Sequence, residues 1–197
     1  MADSKTKPEL RDENDVVGLL LHQHTMIRDL FAEVEQATGG ARAESFERLV
    51  RLLAVHETAE EEIVHPYARR KIDGGEAIVD DRLREENEAK QLLSLMEKRG
   101  TDDPSFSSNL KELRQSVIEH AEAEERYEFT QLVKETTDAE RRAMALGVRA
   151  AEAVAPTHPH PGVETATENV VVGTPAAIMD RARDLIRQAM SKNKQDD

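Results

Sequence analysis

The chain predicts an all-α protein, an up-down-up-down four-helix bundle with additional C-terminal helices, and three observations carry that prediction. Apolar residues recur in alternating three- and four-residue steps through four long stretches, the spacing of one helix face. The breaks between them are short and rich in Gly, Asp or Pro, so each stretch must return antiparallel to the last. The 197 residues suffice for one well-filled core and leave no room for a second full domain.

Residues 1–12 are polar, contain Pro8 and read as a disordered leader, and the bundle with a short fifth helix is placed at 13–154. The first helix starts near Asn14 or Asp15, either of which can cap it, and ends before Gly39-Gly40. Its stripe is Val17, Leu20, His24, Ile27, Phe31 and Val34, while His22 lies about 200° from His24 and faces outward. The second helix, about 43 to 70, carries Phe46, Leu49, Leu53, His56, Glu60, Ile63 and Tyr67. Nine residues separate His65 from His56, about half a turn off the seam, so His65 reads as a surface or cap residue.

After Asp73-Gly74-Gly75 the third helix runs from about 76 to 99, with Val79, Leu83, Glu86, Ala89, Leu93 and Met96 on its seam. Pro104 suits the first position of the fourth helix, whose stripe is Leu110, Leu113, Val117, His120, Glu124 and Tyr127. Thr137-x-x-Glu140 is a capping box that opens the fifth helix, expected across the bundle end. Residues 155–197 read as a Pro/His linker followed by an amphipathic helix with Ile178, Leu185 and Met190 on its apolar face. That helix is expected to dock on the bundle, on a protein partner or on a second copy.

Composition removes several classes of function. There is no cysteine, so disulfides, thiolate metal sites and thiol catalysis are excluded. A formal charge of −13 repels phosphate backbones, and 3% aromatics leave little to stack on bases, so no nucleic acid is expected as partner. No run approaches a membrane span and the N-terminus has no signal-like core, which predicts a cytoplasmic protein away from membranes.

The chemistry-bearing feature is the polar insertion in the seams. An uncompensated buried carboxylate costs several kcal/mol, so it is paired, hydrogen-bonded or given a metal ion. The frame His-x-x-x-Glu-Glu occurs on a core stripe twice, at 56–61 and 120–125, and His24 is a third seam histidine able to meet both. The i, i+4 spacing sets His56 with Glu60, and His120 with Glu124, on one face each, the way helix bundles build di-iron sites. A third match to the shorter His-x-x-x-Glu spacing, at His160 and Glu164, falls in the Pro-rich linker and reads as chance, as His158 does. The competing reading is a metal-free network of neutral histidines bonded to Glu60 and Glu124. It is disfavoured because several half-satisfied polar groups rarely share one core.

Glu86 reads either as a further ligand or as a salt-bridge partner, and Asn87 as a residue that supports the ligands, since neutral amides bind transition metals poorly. Glu57, Glu61, Glu62, Glu119, Glu122 and Glu125 read as a solvated helix face, with Glu125 near enough to compete with Glu124. The two helical hairpins look alike, and the counterpart of His24 in the second would fall near Asn87.

At these residues the sequence resembles the hemerythrin-like, or HHE cation-binding, family: His24 followed by Ile27-Arg28-Asp29-Leu30-Phe31, then His56-x-x-x-Glu60-Glu61 with Pro66 downstream, then His120-x-x-x-Glu124-Glu125. The resemblance covers about residues 14–135 and implies a four-helix bundle holding two non-haem iron ions. Glu60 and Glu124, with an oxo or hydroxo group, would bridge them, and His24, His56 and His120 would complete the ligands. Members of the family bind O2, sense oxygen or redox state, handle iron, or react with peroxide or nitric oxide. This chain departs in the third helix, where the family usually has histidine and it has Asn87. An oxygen-rich donor set favours ferric iron and suits oxidative chemistry better than reversible O2 carriage.

The leading expectation is therefore a di-iron protein that reacts with peroxide, O2 or nitric oxide in redox or nitrosative defence, as a catalase-like or nitric-oxide-consuming oxidoreductase. The alternatives are a non-catalytic sensor acting through residues 138–197, and a storage module for iron or zinc, whose ligand preferences overlap.

Overall fold

The computed structural model describes residues 12–153 together with 155, 157 and 158, so the leader over 1–11 and the final helix expected after 158 lie outside the described residues. Among the described residues every regular element is helical: α1 (Val16–Gln36), α2 (Gly39–Ala59), α3 (His65–Lys71), α4 (Gly75–Arg99), α5 (Phe106–Ala123), α6 (Phe129–Glu135) and α7 (Asp138–Glu152). Two π-helical turns, Glu60–Val64 and Glu124–Glu128, join α2 to α3 and α5 to α6. The four rods of the bundle are thus α1, α2 with α3, α4, and α5 with α6.

Local chemistry accounts for the boundaries. Asp15 caps α1 by accepting from the Val17 N–H at 3.0 Å. Gly39-Gly40, expected to stop the first helix, instead begin α2, because α1 already ends at Gln36 and Thr38 turns the chain. Gly74 takes φ +70°, and a Cβ on Gly75 would lie 2.4 Å from the Ala68 carbonyl oxygen, so this pair lets α4 fold back tightly against α3. Pro104 precedes α5 rather than opening it; Asp103 instead receives the Ser105 N–H at 2.8 Å.

The apolar core falls into two clusters on either side of the polar seam. One contains Ile27, Phe31, Leu49, Leu53, Leu93 and Leu113. The other contains Leu20, Ile63, Tyr67 and Phe129 with Met144 and Val148 of α7. Each Leu or Phe fully buried there contributes roughly 1.5–3 kcal/mol. The expected capping box forms, with Thr137 and Glu140 bonding each other's backbone N–H, and α7 packs against α1, α2 and the first π turn. Arg141 fixes α7 by donating to Asp15 at 2.6 Å, and Tyr67 donates to Glu140 at 2.6 Å.

Two expectations are corrected by this packing. Glu57, Glu61 and Glu62 are not a solvated face: all are buried, because α4 and α7 cover sides of the second rod that a free-standing bundle would leave to water. Lys90 of α4, also buried, donates to Glu61 and lies 4.0 Å from Glu57. Tyr127 leaves the seam and is 58% exposed, while Glu128 and Phe129 take the inward positions. A π turn adds one residue to the helical circuit and rotates everything after it by about 100°. No described helix is long and apolar enough to cross a membrane.

Candidate metal centre

All six residues expected at the site, His24, His56, Glu60, Glu86, His120 and Glu124, converge between the two apolar clusters. Donor atoms of His24, His56, Glu60 and Glu124 lie within 4.8 Å of one another, and so do those of Glu60, Glu86, His120 and Glu124. Donors on opposite sides of one ion at about 2.1 Å would be roughly 4.2 Å apart, so each group has the span of a single coordination sphere. Glu60 and Glu124 belong to both groups. Each is also the first residue of a π turn, where the backbone bonds run from the His65 N–H to the Glu60 carbonyl and from the Phe129 N–H to the Glu124 carbonyl.

The outer nitrogen of each histidine is held by a neighbouring rod. His56 Nδ1 faces Gln23 Oε1 at 2.7 Å, His24 Nδ1 faces Glu125 Oε1 at 3.0 Å, and His120 Nδ1 faces Glu85 Oε2 at 3.0 Å. An Nδ1–H donated outward leaves the Nε2 lone pair pointing inward, the orientation an imidazole ligand needs. Gln23 in turn donates to Glu152 of α7, and Arg28 donates to Glu125 at 2.8 Å. Glu125 thus anchors His24 from outside rather than competing with Glu124.

Inside, the groups approach without satisfying one another. His24 Nε2 is 3.3 Å and His120 Nε2 3.5 Å from Glu124 Oε2, and His56 Nε2 is 3.3 Å from Glu60 Oε2. Yet His24 Nε2, His120 Nε2, both carboxylate oxygens of Glu60 and of Glu124, and Oε2 of Glu86 are buried with no hydrogen-bond partner. Buried polar atoms are nearly always paired, so this many inward-facing orphans argue for a cation among them and against the metal-free network. The donor set, imidazole and carboxylate, fits iron or zinc.

Electrostatics agree with a space built for positive charge. Burial, reinforced by the neighbouring Glu124, drives the Glu60 carboxyl well above the usual carboxylate range. Burial pushes Glu124 the same way, but His120 and His24 overcome it and hold that carboxyl well below the range. For His56, burial and the nearby His24 depress the imidazole to about 3, so it stands neutral with its lone pair free. Burial carries the Glu57 carboxyl up to about 8 against the pull of Lys90.

Glu86 is at once a member of the second donor group and a partner of histidine, accepting from His65 Nε2 at 2.7 Å. Asn87, one residue on, is half-buried and Gln91 is exposed. His65 is the principal correction: it is not a surface residue but 2% exposed in the core, its Nδ1 3.3 Å from Glu128 Oε1. The unbroken α period placed it half a turn away, and the π turn brings it back by about 100°. Glu128 was missed for a different reason: it follows Glu124 by four residues, but the expected stripe continues through Tyr127 instead. Donors of His65, Glu124 and Glu128 form a third compact group. For His65 the available signal was chemical rather than periodic, an ionisable side chain five residues after the buried Glu60, whereas Glu128 follows Glu124 by one ordinary helical turn.

Beside the site, a cavity of about 20 Å3 is lined by Ile27, Leu53, Ala89 and Val117 together with His56 and His120. That is room for one water-sized molecule, in mostly apolar surroundings.

The fold, the paired donor groups and the shared glutamates define a cation-binding helical bundle. Residues 15–132 match the model of the hemerythrin HHE cation-binding domain, and the chain belongs to that family. It is similar in fold to the crystal structure of a hemerythrin HHE cation-binding domain-containing protein from Mycobacterium kansasii, with a TM-score of 0.62 and 17% identity over 85% of this chain and 98% of that one. It is also 25% identical over 116 residues to a protein of Nostoc sp. named DNA nickase, the match taking in 58% of this chain. The matched region spans only 32% of that relative's length.

Proposed function

We propose that the bundle holds two iron ions and that the protein reacts with a small oxidant, peroxide, O2 or nitric oxide, in redox or nitrosative defence. The observation that carries this reading is that two compact donor groups share Glu60 and Glu124, the arrangement in which two carboxylates bridge a pair of ions. Iron bound there would supply the electron transfer. His24 and His56 would hold one ion, and His120 and Glu86 the other. Ile27, Leu53, Ala89 and Val117 would keep bulk water from the reacting molecule, and the small cavity would admit nothing larger than a few atoms. Zinc would fill the same donors without redox chemistry, as a storage or structural ion.

The nicking activity named for the Nostoc relative is not carried over, because a charge of −13 opposes approach to a phosphate backbone. A sensor reading is favoured by one specific contact chain, in which Glu152 of α7 holds Gln23 and Gln23 holds His56. A change at the metal would then alter the seating of α7.

Metal analysis of the purified protein, with an optical spectrum in air, tests the leading reading. Near two irons per chain, oxo-bridged charge-transfer bands and gas evolution from peroxide support it. Colourless protein with stoichiometric zinc overturns every redox reading. Iron without peroxide turnover, but with a redox-dependent protease sensitivity after residue 137, shifts the reading to the sensor.

A further inference from the structure

We infer that His65 is a metal ligand through Nε2, with Glu128 as the residue that positions its ring; this rests on the dinuclear reading above. The geometry repeats what the other three histidines of the site show. Each has Nδ1 on an outer acceptor, Glu125, Gln23 or Glu85, and Nε2 directed at the central carboxylates. His65 has Nδ1 on Glu128 at 3.3 Å and Nε2 2.7 Å from Glu86 Oε1. A ligating histidine characteristically donates its other N–H to a carboxylate, which fixes the ring and raises its basicity.

An independent observation points the same way. Oε2 of Glu86 and Oε2 of Glu128, one on each side of the His65 ring, are buried without hydrogen-bond partners. A histidine that served only as a cation between two carboxylates would leave those atoms unanswered. An ion held by His65, His120, Glu60, Glu86 and Glu124 would answer the Glu86 atom, and Glu86 would exchange a hydrogen bond from His65 for a shared ion.

The assignment also balances the centre. With His24 and His56 at one ion and His65 and His120 at the other, each has two imidazoles, although α4 offers Asn87 where the repeat predicts histidine. The second pair is completed from α3, by the residue that the first π turn rotates inward.

Full-length protein, stripped of metal and titrated with Zn(II), provides the test. Nitrogen-15 NMR of the histidine rings in the unaltered chain is expected to show four Nε2 resonances moving to the zinc-bound range as two ions enter. In His65→Gln the first ion should bind as before and the second at least tenfold more weakly, while Glu128→Gln, which keeps an acceptor for Nδ1–H, should lose less. The surface variant His22→Gln should match the unaltered chain. If the unaltered chain takes up two ions and only three histidines shift, the inference is overturned and the dinuclear reading stands; an unchanged second affinity in folded His65→Gln does the same. Uptake of fewer than two ions overturns both. The ring count needs no variant, so misfolding of His65→Gln would not remove the test.

Discussion

The backbone N–H of His65 donates to the carbonyl of Glu60, five residues back instead of four, and the side chains of both residues end up buried in the same polar seam. A regular helix would have turned His65 away from the bundle centre. π turns are rare, because they give up optimal packing for one extra residue per turn, and they occur disproportionately at functional sites. Here one begins at each of the two glutamates shared by the donor groups. The local widening therefore serves the same position in both halves of the bundle.

Because Glu124 belongs to both main donor groups, Glu124→Ala is expected to remove both ions, leaving metal content well below one per chain. His56→Ala, which touches one group only, should leave about one. Elemental analysis after gel filtration distinguishes these outcomes, and equal losses from the two variants would exclude a bridging role for Glu124.

Gln23 was not visible as a site residue, yet its Oε1 is 2.7 Å from His56 Nδ1. Removing a residue that orients a metal-bound histidine typically lowers affinity 10–100-fold. Gln23→Ala is expected to weaken metal binding within that range, measured by competition with a chromophoric chelator. Glu152→Ala, one step further out on α7, should have a smaller effect of the same sign.

How far the sequence discloses the site is set by where the period holds. His24 and Glu86 lie in helices without a π turn, and His56, Glu60, His120 and Glu124 lie before or at the start of one, so an α period finds all six. His65 and Phe129 follow a π turn and Tyr127 and Glu128 lie within one, and there the same period gives the wrong face for His65 and Tyr127. The burial of Glu57, Glu61 and Glu62 was hidden for a different reason. It follows from how α4 and α7 lie against the second rod, and Lys90 supplies the opposite charge from another helix, which no local pattern records. The four rods, by contrast, follow from apolar spacing and turn residues alone.

Lys90 is 4% exposed and donates to Glu61, so its ammonium offsets the buried Glu61 carboxylate, with the Glu57 carboxyl 4.0 Å away. Breaking a buried charge pair by removing one partner costs about 3–5 kcal/mol. Lys90→Met is expected to destabilise the metal-free protein by that order in urea unfolding. Combining it with Glu61→Gln should restore part of the loss, since the remaining buried charge is then removed. Strict additivity of the two changes would mean that the residues do not interact.

Glu140 gives the fold a pH dependence separate from the metal centre. Burial alone would raise its carboxyl, but the Thr137 backbone N–H at 2.8 Å, the Tyr67 hydroxyl at 2.6 Å and the Thr137 hydroxyl stabilise the ionised form, and the balance lies below the usual carboxylate range. A carboxyl whose folded value is depressed binds its proton more readily in the unfolded chain. Its contribution is therefore fully present above the unfolded value of about 4.3 and disappears as pH falls through the folded one. Metal-free protein should accordingly be more stable than Glu140→Gln at pH 6, and the gap should close on acidification below pH 4. Urea midpoints of the two proteins, measured across that range, check the sign. A gap that stays constant with pH would assign the role of Glu140 to packing and neutral hydrogen bonds, since Gln retains the shape and an acceptor but cannot titrate.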